Sequence, residues 1–157
     1  MAKKKKKSAD PSLFAENRKA RSRFEILDTW EAGIVLRGAE VKVTRGRQVS
    51  LVEAWVSLER GELWLKGAHF PRYRFDASAE HDPTRPRKLL LHRQEILFLA
   101  GKVAEKGLAL VPLALKEVRG KVKVIVGLAK GLAGHDKRRQ LREKAEKEKV
   151  LRAVKNF

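Results

Sequence analysis

Two segments that alternate apolar with polar residues and then double back constrain the fold of this sequence more than any other feature. In LALVPLALKEVRGKVKVIVGLA (108–129) the valines of the second half alternate with lysines, and Arg119-Gly120 separates the two halves. The segment LVEAWVSLERGELWLKGAHF (51–70) is divided in the same way at ERGE (59–62). Alternation with a period of two around a short glycine-containing turn predicts β-hairpins. Pro112 has no backbone N–H to donate, so it predicts an edge position or a bulge in its strand.

The rest of the pattern adds further strands and few helices. FEILDTWEAGIVL (24–36) predicts one long strand, or two strands broken at Ala32-Gly33. GAEVKVTRG (38–46) predicts one or two helical turns, and LLLHRQEILFLAGKVAEKG (89–107) predicts the clearest helix. HDPTRPRK (81–88), with its two prolines, predicts a loop. We therefore expect a mainly β fold, a six-stranded β-barrel like the oligonucleotide-binding (OB) fold with short flanking helices.

Positive charge is concentrated at both ends of the chain. The 157 residues carry 37 Lys and Arg against 19 Asp and Glu, a formal net charge of +18. Residues 1–23 hold nine basic and two acidic side chains, and residues 130–157 hold ten basic and four acidic ones. Such a field favours a polyanion as partner, and counterion release makes nucleic acid the usual one. We divide the chain into a lysine-rich disordered extension (1–16), a nucleic-acid-binding barrel (17–131) and a basic tail (132–157) that is disordered or helical.

Several classes of protein are excluded by what the sequence lacks. Cysteine is absent, which removes disulfides, thiol catalysis and cysteine-based metal sites. No apolar run approaches the ~18 residues of a membrane span, and no signal-peptide core follows the first lysines. We expect a cytoplasmic protein that acts without a membrane, a cofactor or a metal ion.

Candidate catalytic residues are few. Among the four histidines none has a metal-binding spacing, and only His81-Asp82 suggests an enzyme, a nuclease. Because this pair directly precedes PTRPRK, a loop that faces phosphate explains it better, and we expect no enzyme. NRKARSR (17–23) holds four basic residues just before the first long strand, which favours nucleic-acid contact over a merely solvated segment. The tryptophans occupy strand positions where core packing is more common than stacking on bases: Trp30, Trp55 and Trp64.

The final segment has no apolar face to bury. From Asp136 to Lys155 the residues are mostly good helix formers. On a helical wheel, however, the apolar ones scatter around the whole circumference, so no stripe is available for packing on a core. The segment is therefore either idle or takes up its structure on a partner.

Six motifs in order point to one family: ENRKAR, EAGIVLRGAEVK, DPTRPRKLLLH, GKVAEKGLALVPL, KVKVIVGLAKG and HDKR. Together they resemble the SsrA-binding protein (small protein B) family, from about Asn17 to the C-terminus. The resemblance implies a monomeric OB-type barrel that binds the tRNA-like domain of transfer-messenger RNA (tmRNA). With elongation factor Tu, such a protein delivers that RNA to stalled ribosomes for trans-translation. The alternative is a general ribosomal or RNA-binding barrel protein with a basic tail.

The resemblance also implies site residues. The surface for the tRNA-like domain would comprise Asn17, Arg18, Lys19, Arg21, Glu31, Glu40, Lys42, Arg45 and Lys130. The tail would become helical along the vacant messenger channel of the ribosome, with His135, Asp136, Lys137 and Arg138 at the decoding centre. Two positions depart from the family pattern. Val43-Thr44 replaces a usual Ser-Leu, which is expected to alter the packing of the short helix, and Leu132 replaces a usual lysine.

Overall fold

One antiparallel sheet of seven strands organises the part of the chain that the computed structural model describes, residues 10–76, 81–105 and 107–131. In chain order the elements are β1 (Leu13–Glu16), α1 (Arg18–Arg23), β2 (Phe24–Ile34), α2 (Gly38–Arg45), β3 (Trp55–Glu59), β4 (Glu62–Lys66), β5 (Arg87–Leu90), α3 (Arg93–Val103), β6 (Leu108–Val118) and β7 (Lys121–Gly131). Neighbouring strands follow the order β1-β6-β7-β2-β5-β4-β3. None of the helices in these ranges has the length and apolar character needed to cross a membrane.

Both predicted hairpins are confirmed. β3 pairs with β4, and β6 pairs with β7. Each turn consists of an arginine and a glycine with positive φ: 50° and 76° at Arg60 and Gly61, 52° and 79° at Arg119 and Gly120. Two successive left-handed residues match the twist of the flanking strands, and glycine adopts this φ without a steric penalty.

Two irregularities bend the long strands. The register of β6 against β7 shifts between Pro112 and Ala114, which confirms the bulge that Pro112 predicts. β2 continues through Ala32-Gly33 as one strand, and its register against β7 shifts between Ile26 and Asp28. Bulges increase the local twist of a sheet, so these shifts favour a curled sheet over a flat one.

The expectation of six strands is wrong, because β1 and β5 were not predicted. β1 lies inside the range assigned to the disordered extension (1–16), where it pairs with the edge of β6. β5 takes Leu89 and Leu90, which the apolar run LLL had placed in a helix. Pairing with both β2 and β4 overrides the helical pattern there, and α3 begins only at Arg93.

The hydrogen-bonded order of these strands runs from β1 at one edge to β3 at the other, so the sheet of the described residues is not a closed barrel. β3 nevertheless contacts β6, which lies next to the opposite edge. The sheet therefore curls upon itself, but its edge strands β1 and β3 are not paired by backbone hydrogen bonds.

The curled sheet buries side chains on both of its faces. The larger core takes Val43 from α2 and Leu99 from α3, together with residues of β2 to β7. A smaller cluster consists of Ala20, Val111, Leu113 and Ala129, and Ala20 is its contribution from α1. Leu110 and Val111 are adjacent in β6 but belong to different clusters, so the clusters occupy opposite faces. α1 and α2, the two basic helices, consequently pack on opposite faces of the sheet.

Candidate nucleic-acid interface

Asn17 fixes the start of α1 on the sheet. Its side-chain amide donates to the Pro112 carbonyl at 2.9 Å, its side-chain oxygen accepts the Ala20 N–H at 3.2 Å, and its backbone N–H donates to the Leu113 carbonyl at 2.8 Å. The first and third bonds reach the bulged part of β6, and the second caps the helix. Asn17 is 4% exposed. The side chain that we expected to contact RNA is therefore buried in the fold, where it positions α1, and its contact with RNA stays a prediction.

α1 presents its cations to solvent. Ala20 is its one buried residue, while Arg18, Lys19, Arg21 and Arg23 are exposed. Arg18 lies 3.7 Å from the Glu16 carboxylate with its side chain 84% exposed, a geometry that stabilises little. The predicted basic residues of α1 are therefore available to a polyanion at the cost of only the weak ion pair between Arg18 and Glu16.

Arg21 and Glu31 line one cleft of about 540 Å³ between α1 and the adjoining strands. Lys116 of β6 lines the same cleft and was not predicted, because its position opposite Leu13 depends on the pairing of β1 with β6. Glu16 of β1 also lines the cleft, which thus combines two cations with two carboxylates. Cations suit phosphates, and a carboxylate accepts from ribose hydroxyls or base amino groups, so the combination suits folded RNA.

Lys130 lies beside the C-terminal end of α1. It is exposed and stands opposite Glu25 in the pairing of β7 with β2, one position from the pair Phe24–Gly131. Phe24 is the C-cap of α1, and Gly131 is the last described residue. The chain accordingly enters the segment 132–157 next to the basic helix.

α2 uses its predicted cations differently. Lys42 is exposed, whereas Arg45 binds within the fold. The Arg45 guanidinium donates to the Glu117 carboxylate at 3.1 Å and to the Gly120 carbonyl at 3.2 Å, and it lies 5.7 Å from the centroid of the Phe14 ring. Because α2 packs on the face opposite to α1, the predicted residues form two groups rather than one continuous patch.

Glu40 is the centre of a buried ion cluster and is 2% exposed. Arg85 donates to its carboxylate at 2.6 and 3.0 Å, and Arg87 donates at 2.7 and 3.0 Å. The Arg37 N–H adds a fifth bond at 2.8 Å. The carboxylate that we expected to contact RNA therefore accepts five hydrogen bonds inside the fold, and its contact with RNA stays a prediction. Sequence spacing gave no signal of this, since the two arginines follow Glu40 by 45 and 47 positions.

The electrostatics of the cluster follow from its burial. Burial by itself would raise the pKa of Glu40, but the bonds from Arg85, the Arg37 N–H and Arg87 outweigh it and hold that pKa below the ordinary value of 4.5. Burial lowers the pKa of Arg87, against the opposing influence of Glu40. The Arg87 guanidinium also lies 3.9 Å from the centroid of the Phe70 ring. The cluster joins the start of α2 to β5 and to the loop before it.

The two residues of α2 that depart from the family pattern are fully buried. Val43 packs in the larger core, and the Thr44 hydroxyl donates to the Glu40 carbonyl at 2.7 Å. The hydroxyl is satisfied by the preceding turn of the helix, so the departure is accommodated inside α2. Leu132 lies outside the described residues.

The pair that suggested a nuclease is engaged in the fold. The His81 imidazole lies 2.7 Å from the Phe70 carbonyl, and the Asp82 carboxylate accepts the Thr84 N–H at 3.1 Å. Within the described ranges there is no group of three or more His, Asp or Glu that could hold a metal ion. The decoding-centre residues predicted in the tail lie outside the described residues, and their roles stay predictions: His135, Asp136, Lys137 and Arg138.

Three comparisons with known proteins all lead to the same family. The model of the SmpB protein family matches residues 14–156. An SsrA-binding protein of Corynebacterium efficiens is 48% identical over 155 residues, which cover 98% of this chain and 94% of the relative. An SsrA-binding protein of Thermosynechococcus vestitus is 48% identical over 144 residues, which cover 91% of this chain and 95% of the relative. A chain of the solved structure described as "tmRNA-SmpB: a journey to the center of the bacterial ribosome" is 46% identical, with a TM-score of 0.66 over 86% of this chain and 94% of that one.

Proposed function

The chain belongs to the SmpB family of SsrA-binding proteins, and from this membership we propose that it binds tmRNA and delivers it to stalled ribosomes in trans-translation. The observation that carries the proposal is the match of the family model over residues 14–156, nearly the whole chain. The net charge of +18 and the cations of α1 suit such a partner. The protein acts as an adaptor in the cytoplasm, without enzymatic activity, cofactor or metal ion.

The tRNA-like domain binds at the α1 surface. Arg18, Lys19 and Arg21 contact phosphates, because these side chains are exposed and held on a helix that Asn17 fixes to the sheet. Glu31 and Lys116 act from the neighbouring cleft, and Lys130 extends the surface along β7. A helix anchored on a sheet holds these groups in fixed positions, which a flexible basic segment does not.

α2 contributes a second group through Lys42 and Arg45. Glu40 supports this group from beneath by fixing the start of the helix. The curled sheet serves as an open relative of the OB barrel, with the contact between β3 and β6 in place of closure.

The tail, residues 132–157, probes the empty ribosome. It becomes helical along the vacant messenger channel, with His135, Asp136, Lys137 and Arg138 at the decoding centre. A helix of twenty residues is about 30 Å long, and cations all around it suit a channel walled by RNA. The protein works as a monomer, and elongation factor Tu accompanies the complex through the tRNA-like domain.

Removal of the tail tests this division of labour. A variant that ends at Gly131 should bind the tRNA-like domain of tmRNA within about two-fold of the full chain, because α1 and its cleft remain. The same variant should fail to support tagging on ribosomes stalled at the end of a truncated messenger. Loss of RNA binding on truncation would contradict the division.

Recovery of bound RNA from cells separates the proposal from the alternative of a general RNA-binding barrel. One dominant small RNA, tmRNA, is the result expected here. Bulk ribosomal RNA without enrichment of tmRNA would favour the alternative.

A further inference from the structure

A turn beside α2 exposes an aromatic side chain that the fold does not use. Phe75 is 69% exposed, more than any other large apolar side chain in the described ranges. Its ring meets the Tyr73 ring edge-on, with centroids 5.4 Å apart, and the Arg74 guanidinium lies 4.8 Å from its centroid. Burying a phenylalanine stabilises a fold by ~1.5–3 kcal/mol. At this exposure most of that gain is absent, so folding does not account for the position.

The turn is held in shape by its own hydrogen bonds. The Asp76 N–H donates to the Tyr73 carbonyl at 2.9 Å, and the Arg72 guanidinium donates to the Asp76 carbonyl at 3.0 Å. Arg72 thereby closes the turn, and Arg74 and Phe75 occupy its tip. A surface that is already ordered loses less entropy when a ligand binds.

A basic groove lies between this turn and the end of α2. Its volume is about 270 Å³, and its lining residues are Lys42, Gly46, Gln48, Arg72, Tyr73 and Arg74. Three of these are cations and none is a carboxylate. Within the described ranges the Lys42 ammonium has no hydrogen bond or ion pair. The groove therefore attracts an anion.

We propose that this groove and Phe75 bind one unpaired nucleotide of RNA. Lys42 and Arg74 contact its phosphate, and its base stacks on the Phe75 ring. Stacking on an exposed aromatic beside backbone-binding cations is the general mode by which proteins hold single-stranded RNA. The inference rests on the proposed function and extends it, because the groove lies at α2, on the face of the sheet opposite to α1.

The nucleotide has two possible sources with the same chemistry, tmRNA itself and ribosomal RNA. Two binding measurements distinguish them. One uses the isolated tRNA-like domain of tmRNA, and the other uses ribosomes with an empty messenger channel. Both use the full chain.

The test replaces Phe75 in two ways. Phe75→Ala should weaken binding about ten-fold to whichever of the two RNAs contains the bound nucleotide, because the stacking of one base is lost. Phe75→Trp should retain the affinity, and its fluorescence, compared with that of the unsubstituted chain, should be quenched by that RNA. Unchanged thermal melting of both variants would show that the fold is intact.

Phe98→Ala is the matched control. Phe98 is 50% exposed and has the Lys102 ammonium 5.7 Å from its ring centroid, but it belongs to α3 and lines no part of the basic groove. It should leave both affinities unchanged. Equal affinity of Phe75→Ala and the unsubstituted chain for both RNAs would overturn this inference alone. Failure of the unsubstituted chain to bind either RNA would overturn the proposed function with it.

Discussion

The regions around the two basic helices each hold four basic residues but have opposite relations to the fold. The α1 region (17–23) buries one alanine and one capping asparagine and turns its cations outward. The α2 region (37–48) buries Glu40, Val43 and Thr44 and uses several of its cations internally. Arg45 bonds to the β6–β7 turn, and Arg47 donates to the Leu13 and Pro11 carbonyls at 3.2 and 2.8 Å.

The difference shows that a cationic residue in an RNA-binding protein is not by itself an RNA contact. In α1, the side-chain charges of Lys19 and Arg21 have no hydrogen bond or ion pair within the described ranges, so they can bind phosphate. In the α2 region, Arg45 and Arg47 hold β1 and the neighbouring hairpin to the helix. Substitutions of Arg21 in the first region and of Arg47 in the second should therefore separate into an effect on RNA affinity and an effect on stability.

The largest effect on stability is expected for Glu40→Gln. The change removes the carboxylate that forms an ion pair with the fully buried Arg87, and an uncompensated buried charge costs about 3–5 kcal/mol. Chemical denaturation at pH 7 measures the free energy of unfolding. Glu31→Gln is the control, because Glu31 is exposed and should affect RNA binding without changing that free energy. A loss below 1 kcal/mol for Glu40→Gln would mean that the cluster does not stabilise α2.

Two further measurements test the cause of that loss. If the unpaired charge is responsible, Glu40→Gln combined with Arg87→Met should be more stable than Glu40→Gln alone. The pKa of Glu40 is lowered in the fold, so its contribution is present above the ordinary value of 4.5 and lost as the pH falls through the folded value. The stability difference between the unsubstituted chain and Glu40→Gln should therefore shrink below about pH 4.5.

A smaller loss is expected for Arg47→Ala. It removes two hydrogen bonds from the guanidinium to exposed carbonyls of the segment around β1, together worth about 1 kcal/mol. Amide hydrogen exchange should quicken in residues 11–17 and stay unchanged in β4. Uniform exchange across both segments would show that Arg47 does not hold β1.

How much of this was predictable from the sequence depends on the range of the interactions. The hairpins were predictable because alternation and a turn are local signals, as at Arg119-Gly120. β1 was not, since a four-residue edge strand takes its order from β6, about a hundred positions away. The burial of Asn17 and Glu40 has the same cause: their partners Pro112 and Arg87 are 95 and 47 positions distant. The motifs identified the family, but the contacts across the sheet decide which of their residues are buried and bonded within the fold.

The smallest effect on stability is expected for Arg21→Ala, a substitution in the α1 region. Arg21 is exposed and lines the cleft with Glu31, so its loss should change the free energy of unfolding by less than about 0.5 kcal/mol. If Arg21 binds a phosphate, affinity for the tRNA-like domain should fall, and the slope of log K against log salt should decrease in magnitude by about 0.7–0.9. Arg60→Ala, at the exposed turn between β3 and β4, is the control and should leave the slope unchanged. An equal slope for Arg21→Ala and the unsubstituted chain would mean that the RNA does not bind at Arg21. The proposed difference in function between α1 and α2 would then be wrong.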